Sequence, residues 1–223
     1  MVTSERIESV TGIGVLLYRS TNPDQILIAR EAQYKRLTGK LVGEWATTGY
    51  ETQESKPSGV LETYREVIDR YSTEEIRKIR GQIYIPDNLE EARLCSARIS
   101  EPEMAAWVHA YHFPVSDDFE AEIGDFKGEI SEIVWSSCRK LLVLRGTALE
   151  ILLRPAAYEI LQEHIWALEG RPRSGDYFNP VNLPPWEFYD IMEQGAPSQD
   201  AALCQLGIDP WPLANSAVLI RSL

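Results

Sequence analysis

The stretch Leu61-Glu62-Thr63-Tyr64-Arg65-Glu66-Val67-Ile68-Asp69-Arg70-Tyr71 decides how the rest of the chain is read. Wound as a helix at about 100° per residue, it puts Leu61, Tyr64, Val67, Ile68 and Tyr71 on one side. Glu62, Glu66 and Asp69 fall on the other, flanked by Arg65 and Arg70. The apolar side predicts packing against a sheet. The acidic side needs compensation, because like charges one turn apart disfavour a helix by about a few tenths of a kcal/mol per pair. The two arginines supply it, or a divalent cation does. Hard cations such as Mg²⁺ take carboxylate oxygens and usually hold phosphates as well. A solvated charged face with local ion pairs meets the same pattern.

The surrounding composition narrows the setting. The chain has 223 residues, 44% hydrophobic and 25% charged, enough for one sizeable core, or for a core with an appendage. Its formal net charge of −12 argues against a non-specific nucleic-acid or acidic-membrane binder, which needs a positive field. A small nucleotide needs only a local basic pocket. There is no apolar run long enough for a transmembrane helix. The polar Met1–Glu8 lacks the apolar core of a signal peptide. Cys95, Cys138 and Cys204 are odd in number, far apart and outside metal-ligand spacing. They read as reduced thiols, and a cytoplasmic location is the expectation.

Outward from the helix, the pattern alternates strands and turns. Val10–Tyr18, with Gly12 and Gly14 inside it, predicts a first strand closely approached by another backbone or a ligand. Asn22-Pro23-Asp24 is a turn signal, and Gln25–Ala29 a second strand completing a hairpin. Arg30, Lys35, Arg36 and Lys40 follow, four basic residues in an acidic protein; they are a solvated loop or a phosphate-facing rim. Trp45–Glu51 leads into a loop over Gln53–Gly59. Ser72-Thr73-Glu74-Glu75 has the pattern of a capping box opening a new helical turn, which Gly81 ends. Gln82–Pro86, Ala92–Ile99, Glu103–Val115 and Gly128–Ser137 predict strands. In the third of these, His109 and His112 face opposite sides, a poor arrangement for one shared metal. Thr147–Leu153 and, after Pro155, Ala156–Leu168 predict helices, with Leu161 and Ile165 facing the core. Residues 171–223 hold seven prolines, Pro184-Pro185 among them, and the aromatics Trp186, Tyr189 and Trp211. They are expected to form an irregular extension that packs on this chain's core or on a second copy.

In this order of elements the chain resembles the Nudix family of nucleoside-diphosphate-linked hydrolases. That family's signature runs Gly, five residues, Glu, seven residues, Arg-Glu, an apolar residue, any residue, Glu-Glu, any residue, Gly. Arg65-Glu66-Val67 fits the Arg-Glu-apolar core and Asp69 stands at the first Glu of the pair. Gly49, Glu51, Glu54 and Ser55 resemble the preceding glycine and Glu-x-Gly-Glu-Ser part. The Ile26–Arg30 strand and Trp45 sit where members often have such residues, and Glu129 lies six residues before Trp135. Gly49 to Arg65 is two residues longer than the signature. Arg70 replaces the second Glu of the pair, commonly a principal metal ligand, and Ser72 replaces the closing Gly.

The resemblance covers residues 8–169. It implies an α/β fold, a Nudix-like α/β/α sandwich with a mixed sheet over residues 1–169, with residues 170–223 as the C-terminal extension. It implies divalent-metal-dependent hydrolysis of a nucleoside diphosphate linked to another group, with Mg²⁺ or Mn²⁺ as cofactor. Glu66, Asp69, Glu62 and Glu129 are then the metal ligands, with Glu51 or Glu54 as helpers. Glu129 is a ligand or the general base, and Arg65 orients the carboxylates. Arg30, Lys40 and Arg70 meet substrate phosphate, and Tyr18 or Tyr50 stacks on a base or packs in the core. The alternative is a catalytically impaired Nudix-like module that binds a nucleotide or a protein partner. In that reading Arg70 pairs with a carboxylate and neutralises the metal site. A third reading is a structural subunit whose extension makes a homodimer.

Overall fold

A computed structural model describes residues 10–34, 40–74, 76–100, 105–124, 128–171 and 186–223. Lys35, Arg36, Glu75, Glu103 and Pro184-Pro185 lie outside the described residues, as do the side chains of Tyr50, Glu51 and Trp186.

Strand β1 (Val10–Arg19) runs parallel to β7 (Ala105–Val115) over its whole length, from Val10↔Ala106 to Arg19↔Val115. Two strands share the other edge of β1. β2 (Gln25–Glu31) pairs antiparallel at Leu17 and Tyr18, while β4 (Gly49–Thr52) pairs with Gly12–Val15. β2 peels away from β1 and pairs instead with β3 (Trp45–Thr47) and β9 (Ile130–Ser137). β6 (Arg93–Ser100) lies antiparallel to β7, completing a seven-stranded mixed sheet. β5 (Ile76–Arg80) and β8 (Glu120–Ile123) form a separate two-stranded ribbon. β8 was not foreseen in the sequence: four residues with half-exposed faces carry too little apolar alternation to be read.

The period of two along the strands sorts side chains into two layers. Ile13, Val15 and Leu17 of β1 join Leu27, Tyr111, Phe113 and Val115 on one face, where α1 (Tyr64–Glu74) contributes Val67, Ile68 and Tyr71. Leu16, Ile26, Ile28 and Ala110 face the other way. They meet α2 (Cys138–Leu142) and α3 (Pro155–Leu168) through Cys138, Leu141, Leu161 and Ile165. The architecture is the expected α/β/α sandwich with a mixed sheet.

Three local readings are corrected. Leu61 is 55% exposed: it forms an isolated bridge with Ser55, and the helix begins only at Tyr64. Ser72, Thr73 and Glu74 do not open a new helical turn but continue α1, because the cap of that helix lies nine residues earlier, at Thr63. Gln82–Pro86 makes only a bridge, Ile83↔Val115, rather than a strand.

The C-terminal segment is more regular than its prolines suggested. α4 (Trp186–Glu193), α5 (Gln199–Gln205), α6 (Trp211–Ala214) and α7 (Ser216–Arg221) occupy most of residues 186–221. Pro210 and Pro212 sit at the cap and first turn of α6, where a missing N–H costs nothing. Phe188, Tyr189, Leu203 and Leu213 are buried against Leu41, with Tyr34 packed at their edge, and Ile220 reaches the α3 layer. Gly43, at φ +90°, allows a close approach: a Cβ there would stand 2.7 Å from the Leu213 carbonyl oxygen.

Candidate functional site

The N-terminus of α1 is capped by the sequence Thr63-Tyr64-Arg65-Glu66. The Glu66 backbone N–H donates to Thr63 Oγ1 at 3.3 Å, and the Thr63 N–H donates back to Glu66 Oε2 at 2.8 Å. This is a reciprocal capping box. Lys56 Nζ reaches Glu66 Oε1 at 2.7 Å. The Lys56 contact, helped by the Thr63 N–H and hydroxyl, holds the Glu66 carboxyl down to about 2. Glu66 is therefore the carboxylate that starts the helix as well as the residue the family motif would give to a metal.

Arg70 does not pair with Glu66. Its guanidinium forks onto Glu62, with Nε 3.3 Å from Oε1 and Nη2 3.0 Å from Oε2, and Nη1 lies 3.6 Å from Glu54 Oε1. The Glu54 backbone N–H donates to Glu62 Oε2 at 3.0 Å. The Arg70 hydrogen bond, ahead of that backbone contact, lowers the Glu62 carboxyl below the ordinary range. Asp69 is exposed on α1. Arg65 turns to the neighbouring loop rather than orienting the carboxylates: its Nη2 donates to the carbonyl oxygens of Pro86 and, at 3.4 Å, of Asp87.

Glu129 and two of the expected phosphate ligands belong to a second network, at the end of β2. Lys40 Nζ lies 3.0 Å from Glu31 Oε2 and 3.7 Å from Glu129 Oε2. Arg154 Nη1 approaches Glu31 Oε1 at 3.5 Å. Glu44, 3% exposed, accepts from the Leu41 N–H at 2.9 Å. Burial, only partly offset by Arg154, pushes its carboxyl up to about 7. Arg30 spans from β2 to the end of α6, where Nη2 donates to the Leu213 and Ala214 carbonyls at 3.2 and 3.5 Å. Cationic side chains at helix C-terminal carbonyls are favourable, so this contact anchors the C-terminal helices. Sequence reading missed Glu31, Glu44 and Arg154, because nothing local marks an acidic residue at a strand end as buried. Tyr18 is half-buried beside His112 and His164.

Carboxylates thus gather at two places, each joined to cations of the chain itself. Among the described residues no group of three or more His, Cys, Asp or Glu side chains stands close enough to hold a metal ion. As placed, Glu66 directs its oxygens to Lys56 and Thr63, and Glu62 to Arg70 and the Glu54 backbone N–H. No helix among the described residues is long and apolar enough to cross a membrane.

No family model matches the chain, and no curated protein matches it. Among solved structures, it is similar to the MutT protein from Methanosarcina mazei Go1. The TM-score is 0.50 at 14% identity, over 74% of this chain and 99% of that one. It is also similar to a NUDIX hydrolase from Nitrosomonas europaea (TM-score 0.49, 15% identity, 78% of this chain and 81% of that one). A third is the E. coli ORF135 protein (0.48, 18%, 74% and 94%). The likeness to the MutT protein is one of fold, and it agrees with the mixed-sheet sandwich described above.

Proposed function

We propose that this chain is a Nudix-fold binding module, which holds a nucleotide or a protein partner without cleaving a diphosphate at the α1 face. The observation that carries this reading is Arg70. It stands where the family motif has a metal-binding glutamate, and its fork closes on Glu62 and Glu54. A guanidinium is always charged and matches a carboxylate with two donors. It therefore supplies permanently the positive charge that a cation supplies in the family.

The second reading is divalent-metal-dependent hydrolysis of a nucleoside diphosphate linked to another group, with Mg²⁺ or Mn²⁺ on Glu66, Asp69, Glu62 and Glu129. Two features favour keeping it in the test. Glu66 stays ionised down to about 2 and lies at the surface, and its Lys56 partner is 36% exposed, so that contact exchanges readily with solvent. Asp69 is exposed on the same helix.

One experiment separates the two: calorimetric titration of the protein with Mg²⁺ and Mn²⁺, with and without nucleoside diphosphates, followed by a screen for phosphate release. The binding module shows nucleotide binding that survives EDTA and no turnover. Metal binding by wild type that is much weaker in Glu66→Gln, together with phosphate release, establishes the hydrolase instead.

A further inference from the structure

Away from both carboxylate networks, a groove of about 480 Å³ opens at the far end of β1 and β7. Its place follows from register. β4 covers Gly12–Val15 of β1, whereas the groove lies beyond, at Tyr18 and Pro114. β6 begins only at Arg93, opposite Tyr111, so the end of β7 outruns it. There the chain at 82–84 takes over the edge. The Tyr84 N–H donates to the Pro114 carbonyl at 2.9 Å, and the Ser116 N–H to the Gln82 carbonyl at 3.0 Å.

The walls are rigid rings: Tyr18, Tyr84, Pro86 and Pro114 all line the groove. Tyr18 is propped from behind by the His112 and His164 rings, at centroid distances of 5.3 and 4.9 Å. Among the described residues neither tyrosine hydroxyl has a hydrogen-bond partner, so each has a donor to offer. The outer lip is acidic. Asp87 and Glu91 are exposed, and neither is in an ion pair among the described residues. Glu91 accepts only a 3.5 Å contact from the Asn88 amide, while the neighbouring Glu90 is taken by Arg93 at 3.1 Å. Arg65 brings one positive charge to this lip and bonds to the Pro86 and Asp87 carbonyls. Two carboxylates thus stand against one guanidinium.

We propose that this groove binds an extended proline-rich segment of a partner protein that carries an arginine beside its prolines. Prolyl rings are apolar and stiff, and they pack on tyrosine and proline faces. A polyproline II backbone has no internal hydrogen bonds, so its carbonyls accept from the Tyr18 and Tyr84 hydroxyls. Such a segment is already extended before it binds and loses little entropy on docking. The arginine answers the Asp87–Glu91 lip, where a guanidinium finds carboxylate oxygens. This site is separate from the α1 carboxylate face and stands whatever that face binds.

The probe is a fluorescein-labelled oligoproline peptide with one arginine next to its prolines, titrated into the full chain and read by anisotropy. A twin peptide carries glutamate in place of the arginine. Saturable binding of the arginine peptide is expected, with the twin about tenfold weaker. Tyr84→Ala should weaken the arginine peptide about tenfold, the worth of one ring contact. Tyr84→Phe, which keeps the ring and loses the hydroxyl, should cost about threefold. Asp87→Asn combined with Glu91→Gln should remove most of the preference for arginine over glutamate. Tyr84 is 46% exposed and both carboxylates lie at the surface, so these variants keep the fold. Absence of saturable binding overturns the proposal, as does equal binding of the two peptides by wild type. A cationic peptide also adheres to acidic surface elsewhere on a chain of net charge −12. Binding that Tyr84→Ala leaves unmoved is of that kind and overturns the proposal too.

Discussion

Lys56 and Glu66 meet at 2.7 Å with side chains 36% and 45% exposed; Lys40 and Glu31 meet at 3.0 Å with 13% and 7% exposed. The partners are chemically the same, and the burial separates their roles. Water screens the first pair, and such contacts contribute little to stability. The second sits where charges have lost their hydration, so removing Lys40 leaves the Glu31 charge to Arg154, 3.5 Å away. The α1 face is consequently open to exchange with a ligand, while the β2 network is a structural joint. Through Gly43, Val42 and Arg30 that joint ties the core to the C-terminal helices: Gln199 clasps the Val42 backbone at 2.8 and 3.0 Å, and Arg30 reaches α6. The carboxyls at the two places are displaced in opposite senses, Glu66 down and Glu44 up.

The largest effect expected is at the buried underside of α1. Val67 is fully buried, and Val67→Asp loses about 1.5–3 kcal/mol of burial besides stranding a charge. A urea melt should find the variant unfolded or nearly so. A folded Val67→Asp protein breaks the layer assignment.

Next comes the joint at β2. Lys40→Met leaves Glu31 and Glu129 without their shared cation and should lower the unfolding free energy by about 3 kcal/mol. Proteolysis should then release the C-terminal helices early. An unchanged urea midpoint would make the network as dispensable as a surface pair.

Glu44 carries a pH signature of its own. Its folded value of about 7 exceeds the ordinary 4.5, so between those values the folded protein keeps a proton that the unfolded chain has lost. Stability attributable to this group falls as pH rises from about 4.5 to 7. Glu44→Gln should therefore gain about 3 kcal/mol near pH 8 and nearly nothing near pH 4.5. Glu66 runs the other way: its contribution is full above 4.5 and is lost as pH falls toward about 2. Thermal melts at several pH values read both.

At the capping box, Thr63→Ala should cost about 1 kcal/mol, visible as a modest drop in melting temperature. The smallest change is expected for Lys56→Ala. It should lower stability only slightly near pH 7, and that small difference from wild type should vanish as pH falls toward about 2, because the lysine is the first cause of the low Glu66 value and acts only while Glu66 is ionised. A loss as large as that of Lys40→Met would erase the distinction between the two networks.

Much of this was legible in the chain alone. The period of 3.6 at Tyr64, Val67, Ile68 and Tyr71 marked the face of α1, and the period of two marked the strands, because burial on one side of a regular element leaves its mark at fixed spacing. Pro155 opened α3 as expected. The Thr63–Glu66 box is equally local, yet the sequence reading misses it and finds only the similar Ser72–Glu75 pattern. What each charged residue does was decided by tertiary structure. Glu62 and Glu66 look equivalent on a helical wheel, but the helix starts between them, so one faces Arg70 and the other caps the backbone. Glu129 looked like a partner of that helix until the register of β9 against β2 set it beside Lys40. Charge partners are chosen by proximity across elements far apart in the chain, and proximity is a property of the packed sheet. The sequence by itself therefore determined the layers and the helix face. The assignment of each carboxylate, to a cap, a guanidinium or a buried lysine, waited for the fold, because Coulomb and desolvation energies depend on separation and burial that no local pattern encodes.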